Sequence, residues 1–148
     1  RYQRDGIDGV HSHMTNTLNT PVEALEAGFP LRVRRYELVP GSGGRGRFRG
    51  GLGVRREVEV LSDEVTVSLL GDRQTTSPWG FQGGKTGAPG HYSLIRKDGP
   101  TESLASKSTT RARRGDVLSV STPGGGGYGP PKQRATNLVR VDRLDGKI

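Results

Sequence analysis

Residues 31–70 read LRVRRYELVPGSGGRGRFRGGLGVRREVEVLSDEVTVSLL, and the fold is decided there. From Leu31 the residues repeat with period two. Leu31, Val33, Arg35 and Glu37 alternate with Arg32, Arg34, Tyr36 and Leu38, which predicts a strand with one mixed side and one basic side. Val54 to Leu61 and Val65 to Leu70 repeat the pattern, and Ser62-Asp63-Glu64 between them has hairpin-like spacing. The arginines of these strands suit a basic face docked on an acidic partner.

Working outward, His91 to Arg96 and Val117 to Thr122 are further strands, with Lys97-Asp98-Gly99-Pro100 and Arg114-Gly115-Asp116 as turns. Upstream, Thr20-Pro21-Val22-Glu23 predicts a helix of about two turns. Thr20 is the cap, Pro21 takes the first helical position, Glu23 reaches back to the cap N–H, and Gly28 closes the helix. The tail after Pro131 is polar until Leu138-Val139-Arg140-Val141, a stretch that either adds an edge strand or stays loose. The expectation is a mainly β, compact, loop-rich domain, sandwich or barrel-like, with one short N-terminal helix. Residues 1–30 form a polar His/Thr/Asn segment and the helix, 31–130 the β domain, and 131–148 a polar C-terminal tail.

The chain has 148 residues, one domain's worth, with 23 Lys+Arg against 15 Asp+Glu and a formal net charge of +8. Only 30% of residues are hydrophobic and none is cysteine, so the core is thin and has no disulfide framework or thiolate chemistry to support it. A partner is expected to complete it. No apolar run approaches the roughly 20 residues of a membrane span and no signal-peptide pattern opens the chain, so a cytoplasmic protein that does not engage membranes is expected. Arg1 stands only four residues before a dense Asp/Gly/His segment, which suggests a part of something longer.

Three glycine-rich stretches punctuate the strands: Gly41 to Gly53, Gly80 to Gly90 and Gly124 to Gly129. Gly41 to Gly46 formally satisfies G-x-G-x-x-G, but no helix follows to receive a pyrophosphate. Gly83-Gly84-Lys85-Thr86 ends like a phosphate-binding loop, but Trp79 stands where the first glycine belongs. Ser42 lacks a nucleophile elbow and an evident base. Gly44 to Gly51 carries Arg45, Arg47 and Arg49 around Phe48, the pattern of an arginine-glycine RNA-binding segment, yet it is brief and flanked by strands; nucleic acid is a distant alternative. Trp79 and Tyr128 read as loop aromatics that either lid a small core or pack against a ligand or another subunit. Gly126 is expected at a positive-φ turn.

His11-Ser12-His13 is the most chemically loaded spot. In an extended segment both imidazoles share a face and could reach one metal ion with Asp5 or Asp8, although hydrogen-bonding histidines of a polar turn are the commoner case. Thr15, Asn16 and Thr17 follow, a dense set of neutral donors and acceptors suited to orienting a polar substrate.

Asp5-Gly6-Ile7-Asp8-Gly9-Val10-His11-Ser12-His13-Met14-Thr15-Asn16-Thr17, Pro21 to Glu26, Pro40 to Gly51, Pro78-Trp79-Gly80 with Gly83-Gly84, and Thr122 to Gly129 resemble, in this order, the C-terminal part of the B-type subunit of the hydantoinase B/5-oxoprolinase family. The resemblance runs over about residues 5 to 130. Where the family has Asp-Pro after the last glycine-tyrosine block, this chain has Pro130-Pro131. The resemblance implies part of an ATP-dependent enzyme that opens cyclic amides such as hydantoin, oxoproline or another lactam. Related carboxylases act on ketones.

In such enzymes ATP is bound by an A-type subunit, which phosphorylates the substrate carbonyl, and the B-type subunit completes the reaction with a divalent metal held in its N-terminal part. The implied partners are therefore an A-type subunit, the N-terminal part of the B-type subunit and a small cyclic amide. Metal and ATP belong to those other parts, none is expected in this chain, and the chain alone is expected to be inactive. His11 and His13 fall in the C-terminal motif rather than the metal motif. With Thr15 and Asn16 they become candidates for lining or orienting in catalysis, and no residue here is expected to ligate metal. Arg45, Arg47, Gly124, Gly125, Gly126 and Tyr128 are candidates for binding substrate or phosphate, through guanidinium groups and loop N–H groups. A non-catalytic assembly module is the other reading.

Overall fold

The computed structural model describes residues 4–11 and 17–148. Helix α1 (Val22–Gly28) leads into strand β1 (Leu31–Leu38). Then come β2 (Val54–Val60), β3 (Glu64–Leu70), β4 (His91–Ile95), β5 (Thr101–Leu104), β6 (Lys107–Arg113) and β7 (Val117–Ser121), and a 3-10 turn at Pro131–Gln133 precedes α2 (Thr136–Leu144). Five strands form an antiparallel sheet in the order β1-β2-β7-β4-β5, and β3 pairs with β6 in a second, two-stranded sheet. The domain is mainly β, with two sheets that do not close into a barrel.

β2 and β3 follow one another across Ser62 and Asp63, but they are not a hairpin. One side of β2 is taken by β1 and the other by β7, and its exit is tied down by the Val60 N–H on Asp116 O and the Leu61 N–H on Pro30 O, both at 2.9 Å. With no free edge beside β2, the chain crosses to the other layer and β3 finds β6 instead. β5 and β6, which alternation of apolar residues did not reveal, are rich in Ser and Thr. Ser108, Thr110 and Ala112 are the inward row of β6, and only Ala112 is fully buried.

β1 carries a bulge between Val33 and Arg35. Alternation would put Tyr36 and Leu38 with Arg32, on the face opposite Leu31. The extra residue shifts the parity, so Leu31, Val33 and Tyr36 pair with Val60, Val58 and Arg56. The arginines of the other face meet carboxylates within the molecule: Arg32 and Arg34 approach Glu59, Arg35 approaches Glu57 and Glu37, and Arg55 binds Glu37.

The buried core cluster is Val60, Leu94 and Ala112, with Leu31, Val65, Val67, Leu104 and Leu118 packed around it. Two predicted turns are bound to each other at its edge. Asp116 accepts from the N–H groups of Lys97 and Arg113 at 3.0 Å each and from Arg96 at 2.9 Å, and Arg96 also grips Glu102.

The helices correct two expectations. Thr20 and Glu23 do not form a capping box: Pro21 stands at the N-cap with no side-chain cap bond. The tail is neither strand nor loose chain but the 3-10 turn and α2. Leu138, Val139 and Asp142 fall on one helical face, half-buried, half-buried and buried respectively. Searching for apolar periodicity alone missed the third member because it is a carboxylate.

Candidate functional site

The three glycine-rich stretches meet as one backbone knot. Gly44 N–H donates to Gly125 O and Gly125 N–H to Gly51 O, each at 2.8 Å. Lys85 N–H donates to Arg45 O at 2.7 Å, and Gly127 N–H to Lys85 O at 2.9 Å. Phe48 and Tyr128 exchange both backbone bonds, and Phe81 lies alongside Tyr128 on its other side. Glycine is required because the segments touch backbone to backbone. A Cβ on Gly124 would strike the Ser42 carbonyl, and one on Gly126 the Trp79 carbonyl. Gly126 is thus held by close approach and not by a positive φ, which belongs instead to Gly83 and Gly129 in the neighbouring turns.

Beneath the knot lies an ion network that fastens both ends of the chain to it. The Arg49 side chain, 5% exposed, donates to Asp8 Oδ1 at 3.0 Å, to the Gly50 carbonyl at 2.7 Å and to Asp142 Oδ1 at 3.4 Å. Arg134 donates to both oxygens of Asp5, at 2.7 and 2.8 Å, and to Asp142 Oδ2 at 2.5 Å. Asp5 Oδ1 also takes the Arg49 N–H at 2.7 Å and Asp8 Oδ1 the Leu52 N–H at 2.8 Å. Burial pushes both carboxyls up, but these hydrogen bonds and cations outweigh it, and Asp5 and Asp8 lie below the usual carboxylate range. Their oxygens face guanidinium groups, which would repel a cation, and no group of three or more His, Cys, Asp or Glu among the described residues could hold a metal ion. The described residues do not fit a divalent metal.

Between the two sheets opens a cleft of about 840 Å³. Its walls are the inner row of β2 (Val54, Arg56, Val58, Val60), Leu118 and Val120 of β7, Val65 and Val67 of β3, and Leu25 and Phe29 by α1. His11, Asn19 and Tyr36 stand at its margin with Gly9 and Gly125, and Asn19 Nδ2 donates to the Tyr36 hydroxyl at 2.6 Å. The Arg56 guanidinium lies 5.7 Å from the Tyr36 ring centroid. Its buried Nε has no hydrogen-bond partner among the described residues.

Of the candidate residues, the cleft gathers His11 and Gly125; His13, Thr15 and Asn16 lie outside the described residues. Arg45 and Arg47 are exposed on the knot, the latter with its guanidinium 5.4 Å from the Phe48 ring centroid. The N–H groups of Gly124, Gly125 and Tyr128 are spent on the carbonyls of Ala88, Gly51 and Phe48, so they do not form a phosphate cradle. The Tyr128 ring lies between Phe48 and Phe81, at 6.4 and 6.1 Å, while Trp79 stands 68% exposed under Arg73. Arg56, Tyr36 and Asn19 were missed. The signal for Arg56 was present: it is the one charged residue in the inward alternation from Val54 to Val60.

The class defined by this geometry is a two-layer β module knotted at one end and open between its layers. The chain belongs to the hydantoinase B/oxoprolinase family, whose profile matches residues 1–131. It is 41% identical over 152 aligned residues to the B-type subunit of a putative D-/L-hydantoinase from a Pseudomonas species, covering 100% of this chain and 25% of that protein. The ATP-dependent caprolactamase from Pseudomonas jessenii superposes with a TM-score of 0.74 at 28% identity, over 86% of this chain and 23% of that one. A nucleotide-free acetone carboxylase shares the fold with a TM-score of 0.80 at 21% identity, over 97% and 23%. The chain therefore spans about a quarter of the length of these proteins. Among the described residues no helix is long and apolar enough to cross a membrane.

Proposed function

We propose that the chain is the C-terminal portion, or a small subunit, of an ATP-dependent hydantoinase/5-oxoprolinase-type enzyme that opens cyclic amides. The observation that carries this reading is family membership across residues 1–131, joined to a cleft margin at which His11 and Asn19 stand beside an apolar interior. An amide ring resists water, and ATP bound by an A-type subunit supplies the activation. The work of this chain is to hold polar side chains at a fixed margin while the knot and ion network keep that margin rigid. His11, with His13, Thr15 and Asn16 in the same motif, is assigned to orienting the amide or the attacking water, and Arg45 and Arg47 to meeting anionic charge where two subunits adjoin.

The experiment joins this chain to the remaining three quarters of a B-type subunit and an A-type subunit, and measures ATP-dependent opening of hydantoin, 5-oxoproline and caprolactam. Opening of at least one ring is expected, with His11→Ala lowering kcat and leaving assembly intact. Loss of assembly with unchanged kcat per complex would remove His11 from the site. The fold shared with acetone carboxylase favours a second reading, part of a ketone carboxylase. It predicts ATP turnover that needs acetone and bicarbonate and ignores lactams.

A further inference from the structure

We infer that the cleft between the sheets seats another stretch of hydantoinase-B-type polypeptide, apolar along its length and carrying one carboxylate, which completes the core. The inference rests on the family reading above and adds the docking surface to it.

Two strands face five, so the inner sheet face is left partly uncovered. Val54, Val58, Val65, Val67, Leu118 and Val120 all line the cleft and all remain only partly buried. At about 30 Å³ for each water, 840 Å³ holds roughly thirty waters. A cyclic amide of six to eight heavy atoms would displace only a few of them, so the substrate does not fill this space.

Among the described residues of those walls the one arginine or lysine is Arg56, whose buried Nε lacks a partner. An occupant that brought a carboxylate to its guanidinium would pair that charge. A second copy of this chain is disfavoured, because it would bring another net +8 toward the same arginine. The Pseudomonas hydantoinase subunit and the caprolactamase chain are each about four times longer, so they contain polypeptide beyond the part this chain matches.

The probe is the B-type subunit of the Pseudomonas hydantoinase with its matching quarter removed, shown to be folded by circular dichroism. It is titrated against the full 148-residue chain by calorimetry, for wild type, Arg56→Glu and Val58→Asp. One-to-one binding is expected, weakened at least tenfold by Arg56→Glu and abolished by Val58→Asp. Val58 sits mid-sheet and its variant can unfold. Arg56→Glu, which removes no hydrogen bond from Nε but gives up the contact with the Tyr36 ring, therefore carries the test, and it is used below its own melting temperature, which should fall modestly.

No binding by wild type, or equal binding by wild type and Arg56→Glu, would overturn the docking site. So would stoichiometric binding of dodecanoate that depends on Arg56 and leaves the probe's binding unchanged, since the seat would then belong to a small amphiphile. A complex that forms through Arg56 yet opens no cyclic amide with an ATP-binding A-type subunit supports the docking surface and sinks the catalytic reading instead.

Discussion

At Gly126 a methyl group has nowhere to go, because its Cβ would meet the backbone carbonyl of Trp79 rather than a side chain that can turn aside. Gly126→Ala should therefore destabilise by about 1–3 kcal/mol or more, the usual range for forced overpacking. At roughly 2–4 °C per kcal/mol for a chain of this size, calorimetry would detect the change. Gly28→Ala is the control. No atom lies within 4 Å of its missing Cβ and it ends a helix, so the substitution should be neutral or stabilising by up to about 1 kcal/mol. Sequence reading marked both glycines as conformational signals. It could not separate them, because the reason for Gly126 is a neighbour 47 residues away and a sequence shows only what is adjacent.

Among the elements, α2 depends on one side chain more than on its apolar face. Asp142 is 3% exposed and lies between Arg49 and Arg134. Asp142→Ala would leave two half-satisfied guanidinium groups in a buried place, a loss of about 3–5 kcal/mol by urea denaturation. Acid should act on the same network. Asp5, Asp8 and Asp116 have folded pKa values below the ordinary range, so on acidification the unfolded chain takes up protons first. Their contribution is full above about pH 5 and is lost as pH falls through the ordinary carboxylate value near 4 toward the folded values. Unfolding free energies at pH 7, 5 and 3.5 should be similar for the first two and lower for the third.

The bulge in β1 admits a different test. Deleting Arg34, the extra residue of the bulge, would leave strict alternation from Leu31 to Leu38 and keep Tyr36 on the face of Val33, opposite Arg56. The expected result is a folded chain in which the Tyr36 hydroxyl still takes the Asn19 amide, visible as an unchanged tyrosine environment in near-ultraviolet circular dichroism; a changed one would show that the bulge does not set the face of Tyr36. Strand identity was readable from alternation at β1, β2, β3, β4 and β7. Face and pairing were not, because a one-residue bulge and an already occupied sheet edge are settled by tertiary contact.

At the scale of the whole molecule, the mainly β class was legible, and so was the family, since ordered blocks of motif survive where single motifs mislead. The candidate site was legible only in part. His11 and Gly125 do reach the cleft, whereas Gly124 and Gly125, expected to offer N–H groups to an anion, spend them on the carbonyls of Ala88 and Gly51. Composition pointed to a thin core, and the cleft between the sheets is its physical form. The knot also governs when this chain can fold as it leaves the ribosome. Its three segments centre near residues 45, 85 and 127, and each is hydrogen-bonded to the others. No shorter nascent chain can close it, so the first two glycine stretches, though able to bond to each other, must wait for the third until synthesis has passed Gly129.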